Sequence, residues 1–148
     1  MRTVETGARR AIVESTSHIS QPALRRAVVA ARTAADNRGQ DIVVLDLREL
    51  TSIFDYFVVV TGSSRRQLHA ISEEIDAALE RGMGDRRLGI EGYEESRWIL
   101  LDYGDVVVHL FEPETREYYQ IEDLWGHAKR VDLEKLDGKT PLRKAVGG

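Results

Sequence analysis

Apolar residues recur along the chain first with helical and then with strand spacing, which predicts a single α/β domain. A helix is expected from an N-cap at Ser20 to a stop at Gly39, since apolar residues lie three and four apart between them. Two β-branched runs, residues 41–47 and 56–62, predict buried strands, and the apolar spacing over 64–81 predicts a second helix. A short strand, a hairpin and a final helix follow, so we expect a mixed β-sheet with flanking helices.

The stretch WILLDYGDVVVHLF, residues 98–111, predicts a β-hairpin because apolar side chains alternate on both sides of a glycine. With Tyr103 and Gly104 as a two-residue turn, one face of the hairpin is entirely apolar and should join the core. That face consists of Ile99, Leu101, Val106, Val108 and Leu110. The same turn predicts three cross-strand pairs: Asp102 with Asp105, Leu100 with Val107, and Trp98 with His109. A bulged turn is the alternative, because tyrosine rarely adopts the positive φ of a tight hairpin turn.

The other face of this hairpin mixes apolar and polar side chains, and we expect it to be exposed to solvent. Asp102 and Asp105 flank a glycine turn, where aspartate commonly accepts hydrogen bonds from nearby backbone N–H groups. His109 on an apolar strand is more often a structural histidine than a metal ligand. Trp98 is large enough to belong to the core, but a half-exposed tryptophan beside carboxylates is typical of a protein interface.

The predicted folded domain covers residues 21–126. Its last element is a short helix that begins near Pro113. The packing side of that helix is expected to consist of Tyr118, Ile121 and either Leu124 or Trp125. Residues 1–20 are expected to be a flexible extension. Residues 127–148 are expected to be a basic, partly ordered tail, because apolar residues are sparse there.

Negative charge is concentrated in the second half of the predicted domain. The whole chain has a formal net charge of −4, whereas residues 88–125 contain ten Asp and Glu against two Arg. Such a surface repels phosphate backbones and attracts basic proteins. We therefore expect this part of the surface to bind a basic protein rather than nucleic acid.

The chain contains no cysteine, which excludes disulfides and thiolate metal sites. We expect a reducing cytoplasm, with an organelle as the alternative. No apolar run approaches the ~18 residues that cross a bilayer, so no membrane contact is expected. The histidines do not have the spacing of metal ligands, which predicts no metal site. They are His18, His69, His109 and His127.

The turn after the second predicted strand suggests an alternative function. In VVVTGSSRRQ, Gly62 and Ser63 resemble the turn with which nucleotidyltransferases hold phosphate, where a pair of acids on a following strand binds Mg²⁺. Asp102 and Asp105 are three residues apart, with a glycine between them, and do not form such a pair. We therefore expect no catalytic residue and no cofactor, and a nucleotide-dependent transferase is the alternative hypothesis.

Four stretches together resemble one known family. They are DYFVVVTGSS over 55–64, GIEGYEESRW over 89–98, DYGDVVVHLF over 102–111, and YYQIEDLW over 118–125. This combination resembles the ribosomal silencing factor family, also called RsfS or Iojap. The resemblance extends from about residue 22 to residue 127 and leaves out both ends of the chain.

The resemblance implies an α/β fold related to nucleotidyltransferases but without a working catalytic site. Members bind the large ribosomal subunit through its protein number fourteen and keep the small subunit from joining. Translation is thereby repressed when nutrients are scarce. Members in mitochondria and chloroplasts act in large-subunit assembly, and homodimers are associated with the family.

The resemblance also implies which residues bind the partner. The docking tryptophan of the family corresponds to Trp98, and Asp102 belongs to the same surface motif. The candidate partner-binding residues are Trp98, Asp102, Leu100, Glu91, Asp105 and His109. Exposed acids would pair with Lys and Arg of a ribosomal protein, and the tryptophan would supply an apolar anchor. The basic tail is a candidate for contact with ribosomal RNA.

Overall fold

Six strands form one mixed sheet in the computed structural model, which describes residues 7–136. The strands are β1 (Gln40–Asp46), β2 (Tyr56–Thr61), β3 (Gly89–Glu91), β4 (Trp98–Asp102), β5 (Val106–Phe111) and β6 (Lys129–Arg130). The helices are α1 (Gly7–Ser15), α2 (Pro22–Asp36), α3 (Arg65–Met83), α4 (Pro113–Tyr119) and α5 (Ile121–Leu124). Across the sheet the order is β3-β4-β5-β2-β1-β6. The central pair β2–β5 is parallel and the other pairs are antiparallel, which confirms the predicted α/β class with a mixed sheet.

The larger core lies between one face of the sheet and helices α1, α2 and α3. The apolar face predicted for the hairpin belongs to this core, since all five of its side chains are buried. Helix α3 begins after an N-cap at Ser64 and ends at Gly84, which has the left-handed φ of 74° that favours glycine. Within the described residues, no helix is long and apolar enough to span a bilayer.

A smaller core lies on the opposite face of the sheet. Its buried members are Leu45, Leu47, Phe57, Val59, Val107, Phe111 and Ile121. Helix α5 contributes Ile121 and the following Trp125 packs beside it, so the C-terminal segment covers part of this face. Among the described residues, the rest of this sheet face is not covered by a helical layer comparable with α1–α3. The candidate site lies on this less covered part of the sheet.

The N-terminal segment departs from the predicted flexible extension, because it contains α1, which contacts α2 and α3. The Arg25 guanidinium donates from Nε to Oγ1 of the buried Thr16, 2.9 Å away, which joins the end of this segment to α2. The N-cap of α2 is Gln21, whose side chain accepts from a backbone N–H, rather than the predicted Ser20. Residues 1–6 lie outside the described residues.

The final predicted helix is two short helices, because Gln120 adopts a left-handed backbone with φ of 45° and interrupts the hydrogen-bonded turns. Ile121 is buried and Trp125 packs against the smaller core, as predicted. Tyr118 is exposed, so its predicted packing role is wrong, and of the two alternatives Leu124 is exposed whereas Trp125 is the one that packs. The break rotates α5 relative to α4. Residues that one continuous helix would place on the same side therefore do not share a buried side.

The predicted basic tail begins with ordered structure. Strand β6 pairs with β1 at the edge of the sheet, and the Arg32 guanidinium donates to the Leu133 carbonyl oxygen at 3.3 Å. Val131 and Leu133 pack against the larger core. Residues 137–148 lie outside the described residues, so the prediction of a partly ordered tail is untested there.

Candidate functional site

The β4–β5 hairpin turns at Gly104 and Asp105, one residue later than predicted. The Tyr103 N–H donates to the Val106 carbonyl oxygen at 2.9 Å and closes the turn. Gly104 has a φ of 93° at the first turn position, which a primed hairpin turn requires there. The cross-strand pairs therefore differ from the predicted ones: Asp102 pairs with Val107, Leu100 with His109, and Trp98 with Phe111.

The face of the hairpin that was predicted to be exposed is largely buried. Val107 and His109 are only 4% and 3% exposed. In the parallel β2–β5 ladder they lie opposite Phe57 and Val59 of the smaller core. The C-terminal segment covers that core from outside. The prediction of a solvent-exposed face is therefore wrong for the whole of β5, which is buried along its length.

The exposed part of this face lies on β4, because only the three-residue strand β3 lies between β4 and the edge of the sheet. Trp98 and Leu100 are partly buried and rest on the smaller core. The indole ring of Trp98 contacts Phe111 below it and the exposed Tyr119 beside it, with ring centroids 4.8 and 5.0 Å apart. We call Trp98, Leu100, Tyr119 and Glu91 the Trp98 patch.

A hydrogen bond joins two of the candidate residues. The Trp98 indole Nε1–H donates to His109 Nδ1, 3.1 Å away. Because Nδ1 accepts, the proton of the neutral imidazole is on Nε2. The Nε2 atom is buried and has no hydrogen-bond partner among the described residues. Burial without a compensating partner also lowers the pKa of His109 to about 4.

The two hairpin aspartates have different partners, and only Asp102 makes the predicted hydrogen bond to a nearby backbone N–H group. Asp102 Oδ1 accepts from the Gly104 backbone N–H at 2.8 Å. Asp105 Oδ1 accepts from Arg26 Nη1 at 2.6 Å, and the same guanidinium holds Asp85. The carboxylates therefore support the turn separately, and Asp105 is ion-paired with α2.

Acidic side chains, among them Glu91 of the Trp98 patch, line the edge of the sheet beside the apolar residues of that patch. Glu91 lies opposite Leu100 in the β3–β4 ladder and is exposed. Glu94 and Glu95 follow in the loop to β4 and are exposed as well. The arrangement gives an apolar surface with a negatively charged border, which suits a basic protein partner.

The loop between β3 and β4 is fixed by residues that the sequence analysis did not single out. The His69 ring of α3 stacks on Tyr93, with centroids 4.0 Å apart, and His69 Nε2 lies 2.8 Å from the Tyr93 carbonyl oxygen. Ser96 adopts a φ of 60° and its hydroxyl donates to the same oxygen. Gly92 has a φ of 76°, and a Cβ there would lie 2.1 Å from the Trp98 carbonyl oxygen. This loop therefore sets where β4 begins.

The Gly62–Ser63 turn does not present free backbone donors to a phosphate. The Gly62 N–H donates to the Phe111 carbonyl oxygen at 2.9 Å, and the Ser63 N–H donates to the Gln67 side chain. A phosphate at this turn would have to displace both of these acceptors, which costs the hydrogen bonds already made.

Comparison with known proteins identifies the family. Residues 20–146 match the sequence profile of RsfS, described as ribosomal silencing factor during starvation. The chain belongs to the RsfS family. The matched range includes most of the basic tail, so the family pattern extends further along the chain than the four stretches indicated.

Similar proteins come from bacteria and from mouse. The ribosomal silencing factor RsfS of Bacillus subtilis is 43% identical over 107 residues, which cover 72% of this chain and 89% of that protein. A crystal structure of a Chromobacterium violaceum protein superposes with a TM-score of 0.63 at 36% identity, covering 85% of this chain and 89% of that one. The mouse protein named mitochondrial assembly of ribosomal large subunit protein 1 is 36% identical over 58% of this chain and 39% of its own length.

Proposed function

We propose that this RsfS-family chain binds the large ribosomal subunit through its protein number fourteen and thereby prevents the small subunit from joining. Family membership supports a ribosomal role. The Trp98 patch is the observation that supports the docking surface, because it combines partly exposed apolar side chains with a carboxylate border. Translation would be repressed by steric exclusion, without a chemical step or a cofactor.

The apolar part of the Trp98 patch is well suited to provide affinity. Tryptophan and tyrosine are the residue types most often found as energetic anchors at protein interfaces. Trp98 is held on the Phe111 ring and by its bond to His109, so little rotamer freedom is lost when a partner covers it. Leu100 extends the same surface along β4.

The acidic border would act mainly on the rate and orientation of association. Ribosomal proteins carry many Lys and Arg, and complementary charge steers the encounter of two proteins. Glu91, Glu94 and Glu95 are exposed at the sheet edge and are available for such pairing. Asp102 contributes charge but is partly engaged with its own turn.

The proposal is tested by sedimentation with separated ribosomal subunits. The chain should co-sediment with isolated large subunits and not with small ones. Added before the two subunits are mixed, it should also lower the fraction of joined ribosomes on a sucrose gradient. Binding to small subunits alone, or large-subunit binding that leaves joining unchanged, would contradict the proposal.

A role in large-subunit assembly is the second candidate, favoured by the name of the mouse mitochondrial relative. It uses the same partner and the same docking surface but acts on an unfinished subunit. The two functions separate when the chain is removed from cells. Loss of an assembly factor leaves precursor particles that lack late proteins. Loss of a silencing factor leaves mature subunits that join without restraint. Either function places the chain with ribosomes, in a bacterial cytoplasm or in an organelle.

Two further contacts are proposed from the same surface features. The exposed Lys129 and Arg130 of β6 begin the basic tail, which would contact ribosomal RNA beside the docked protein.

In the absence of ribosomes, a second copy of the chain would cover the apolar part of the Trp98 patch as a homodimer. Analytical ultracentrifugation with and without the Trp98→Ala change tests the dimer, since loss of the patch should shift the chain to monomer.

A further inference from the structure

We infer that His109 is a positioning residue, which fixes the indole of Trp98 in the orientation that the ribosomal partner meets. The inference rests on the proposed function and goes beyond it, because His109 itself is almost fully buried and cannot touch a partner. Its action would pass through the Nε1–H···Nδ1 bond to Trp98. It would therefore be a buried residue that acts on docking without forming part of the contact surface.

The surroundings of the imidazole allow only a limited set of positions. Its ring lies edge-on to Phe57, with centroids 4.5 Å apart, and Leu100 is its partner across the β4–β5 ladder. The indole of Trp98 packs on Phe111 and reaches back to Nδ1. A ring held by strand, aromatic neighbour and hydrogen bond in this way offers the indole one fixed acceptor.

Packing alone does not account for a histidine at this position. The Nε2–H is buried and unsatisfied among the described residues, which is unfavourable for the fold. A leucine would fill similar space on an otherwise apolar strand and would leave no buried donor without a partner. What leucine cannot supply is an acceptor for the indole N–H of Trp98, and this is the property the inference assigns to His109.

The bond also determines what Trp98 offers to a partner. Its single polar hydrogen is used internally, so the partner meets an apolar ring surface and not a hydrogen-bond donor. Without the bond, the indole N–H would seek water or another acceptor, and the ring would populate other orientations. Docking would then have to select one orientation from several, which weakens the apparent affinity.

Two substitutions of His109 separate the acceptor from the volume. His109→Asn places an amide oxygen close to the position of Nδ1, whereas His109→Leu removes the acceptor and keeps an apolar side chain. In the free protein, the ¹H–¹⁵N signal of the Trp98 indole, identified by its absence in Trp98→Phe, reports the bond directly. We expect this signal to move in His109→Leu and to stay near its original position in His109→Asn. Affinity for isolated large subunits should fall about tenfold in His109→Leu and recover to within about threefold in His109→Asn.

Trp98→Ala is measured in parallel, so that this inference and the docking proposal can fail separately. If Trp98→Ala loses binding while His109→Leu binds as tightly as the parent, the positioning role is overturned and the docking surface stands. If Trp98→Ala binds as tightly as the parent, the docking surface itself is overturned.

Should His109→Leu fail to fold, His109→Gln replaces it, because the glutamine amide lies one methylene beyond the position of Nδ1. Equal affinity of the Asn and Gln variants would then overturn the positioning role.

Discussion

Arg26 on α2 is ion-paired with Asp105 at the tip of the β4–β5 hairpin, with Nη1 and Oδ1 2.6 Å apart. The same guanidinium donates from Nε to Asp85 at 2.8 Å, in the loop that leads to β3. One partly buried side chain on the helical layer therefore fixes the turn of the hairpin and the approach to its neighbouring strand. Asp105 is thus a structural residue of the site, and its charge is matched within the chain.

Removal of this arginine should destabilise the fold. We expect Arg26→Met to lower the free energy of unfolding by roughly 1–3 kcal/mol, because two carboxylates lose their shared partner. Urea denaturation measures the change. Lys129→Met is the control, since its pair with Glu49 is largely exposed and should contribute little. Equal stability of the Arg26 and Lys129 variants would show that the partly buried ion pairs of Arg26 are not structural.

Gly92 should be the more sensitive of two glycines with the same backbone conformation. Gly92 and Gly84 have φ of 76° and 74°, but only at Gly92 would an added Cβ meet the Trp98 carbonyl oxygen at 2.1 Å. Gly84→Ala should cost about 1 kcal/mol from backbone strain alone. Gly92→Ala should cost at least about 2 kcal/mol more, because β4 must move. Thermal and urea unfolding of the two variants test this, and similar losses would contradict the close approach.

The pH dependence of stability should carry a contribution from His109. Burial holds its pKa at about 4, below the value of 6.5 for an exposed histidine, so the unfolded chain takes up this proton at higher pH. The stability that depends on the neutral imidazole is complete above pH 6.5 and is lost as the pH falls toward 4. Between about pH 7 and about pH 4.5, the parent should lose roughly 2 kcal/mol more than His109→Leu. Parallel losses in both proteins would contradict the burial of a neutral imidazole.

The sequence predicted the two faces of the hairpin better than its register. Moving the turn from Tyr103–Gly104 to Gly104–Asp105 shifts each partner on β5 by two residues, and a two-residue shift leaves the alternation of faces intact. The apolar pattern therefore identified Ile99 and Leu101 as core but did not distinguish Phe111 from His109 as the partner of Trp98. A glycine at the first turn position, with its positive φ, was the local signal that favours the observed turn.

Burial of the second face could not be predicted from the hairpin itself. His109 is buried because β5 lies in the middle of the sheet and the Phe57 ring of β2 packs against the imidazole, while Ile121 and Trp125 from a later part of the chain complete the smaller core on that face. Such long-range packing leaves no trace in the spacing of residues 98–111. The position of the hairpin on the chain was thus predicted correctly, whereas the buried role of His109 and the ion pair of Asp105 required the fold, and partner binding by the candidate residues stays a prediction.

Charge at the sheet edge should affect association with the ribosome. We expect Glu91→Lys to slow association with large subunits severalfold, with a smaller effect at high salt, because the change opposes a basic partner. Asp36→Lys makes the same charge change on α2, on the other side of the sheet, and should leave association unchanged. Stopped-flow or surface-based kinetics over a range of salt concentrations measure both. Equal slowing by the two variants would indicate a response to net charge and not to the Trp98 patch.

The most direct test of the docking account is the affinity of Trp98→Ala for isolated large ribosomal subunits. Leu88→Ala is the matched control, because Leu88 is an exposed apolar residue near the same sheet edge but one that adjoins β3 on the helical side. With both variants shown to be folded by circular dichroism, co-sedimentation should give about 30-fold weaker binding for Trp98→Ala and parental binding for Leu88→Ala. Parental affinity of a folded Trp98→Ala protein would contradict the account.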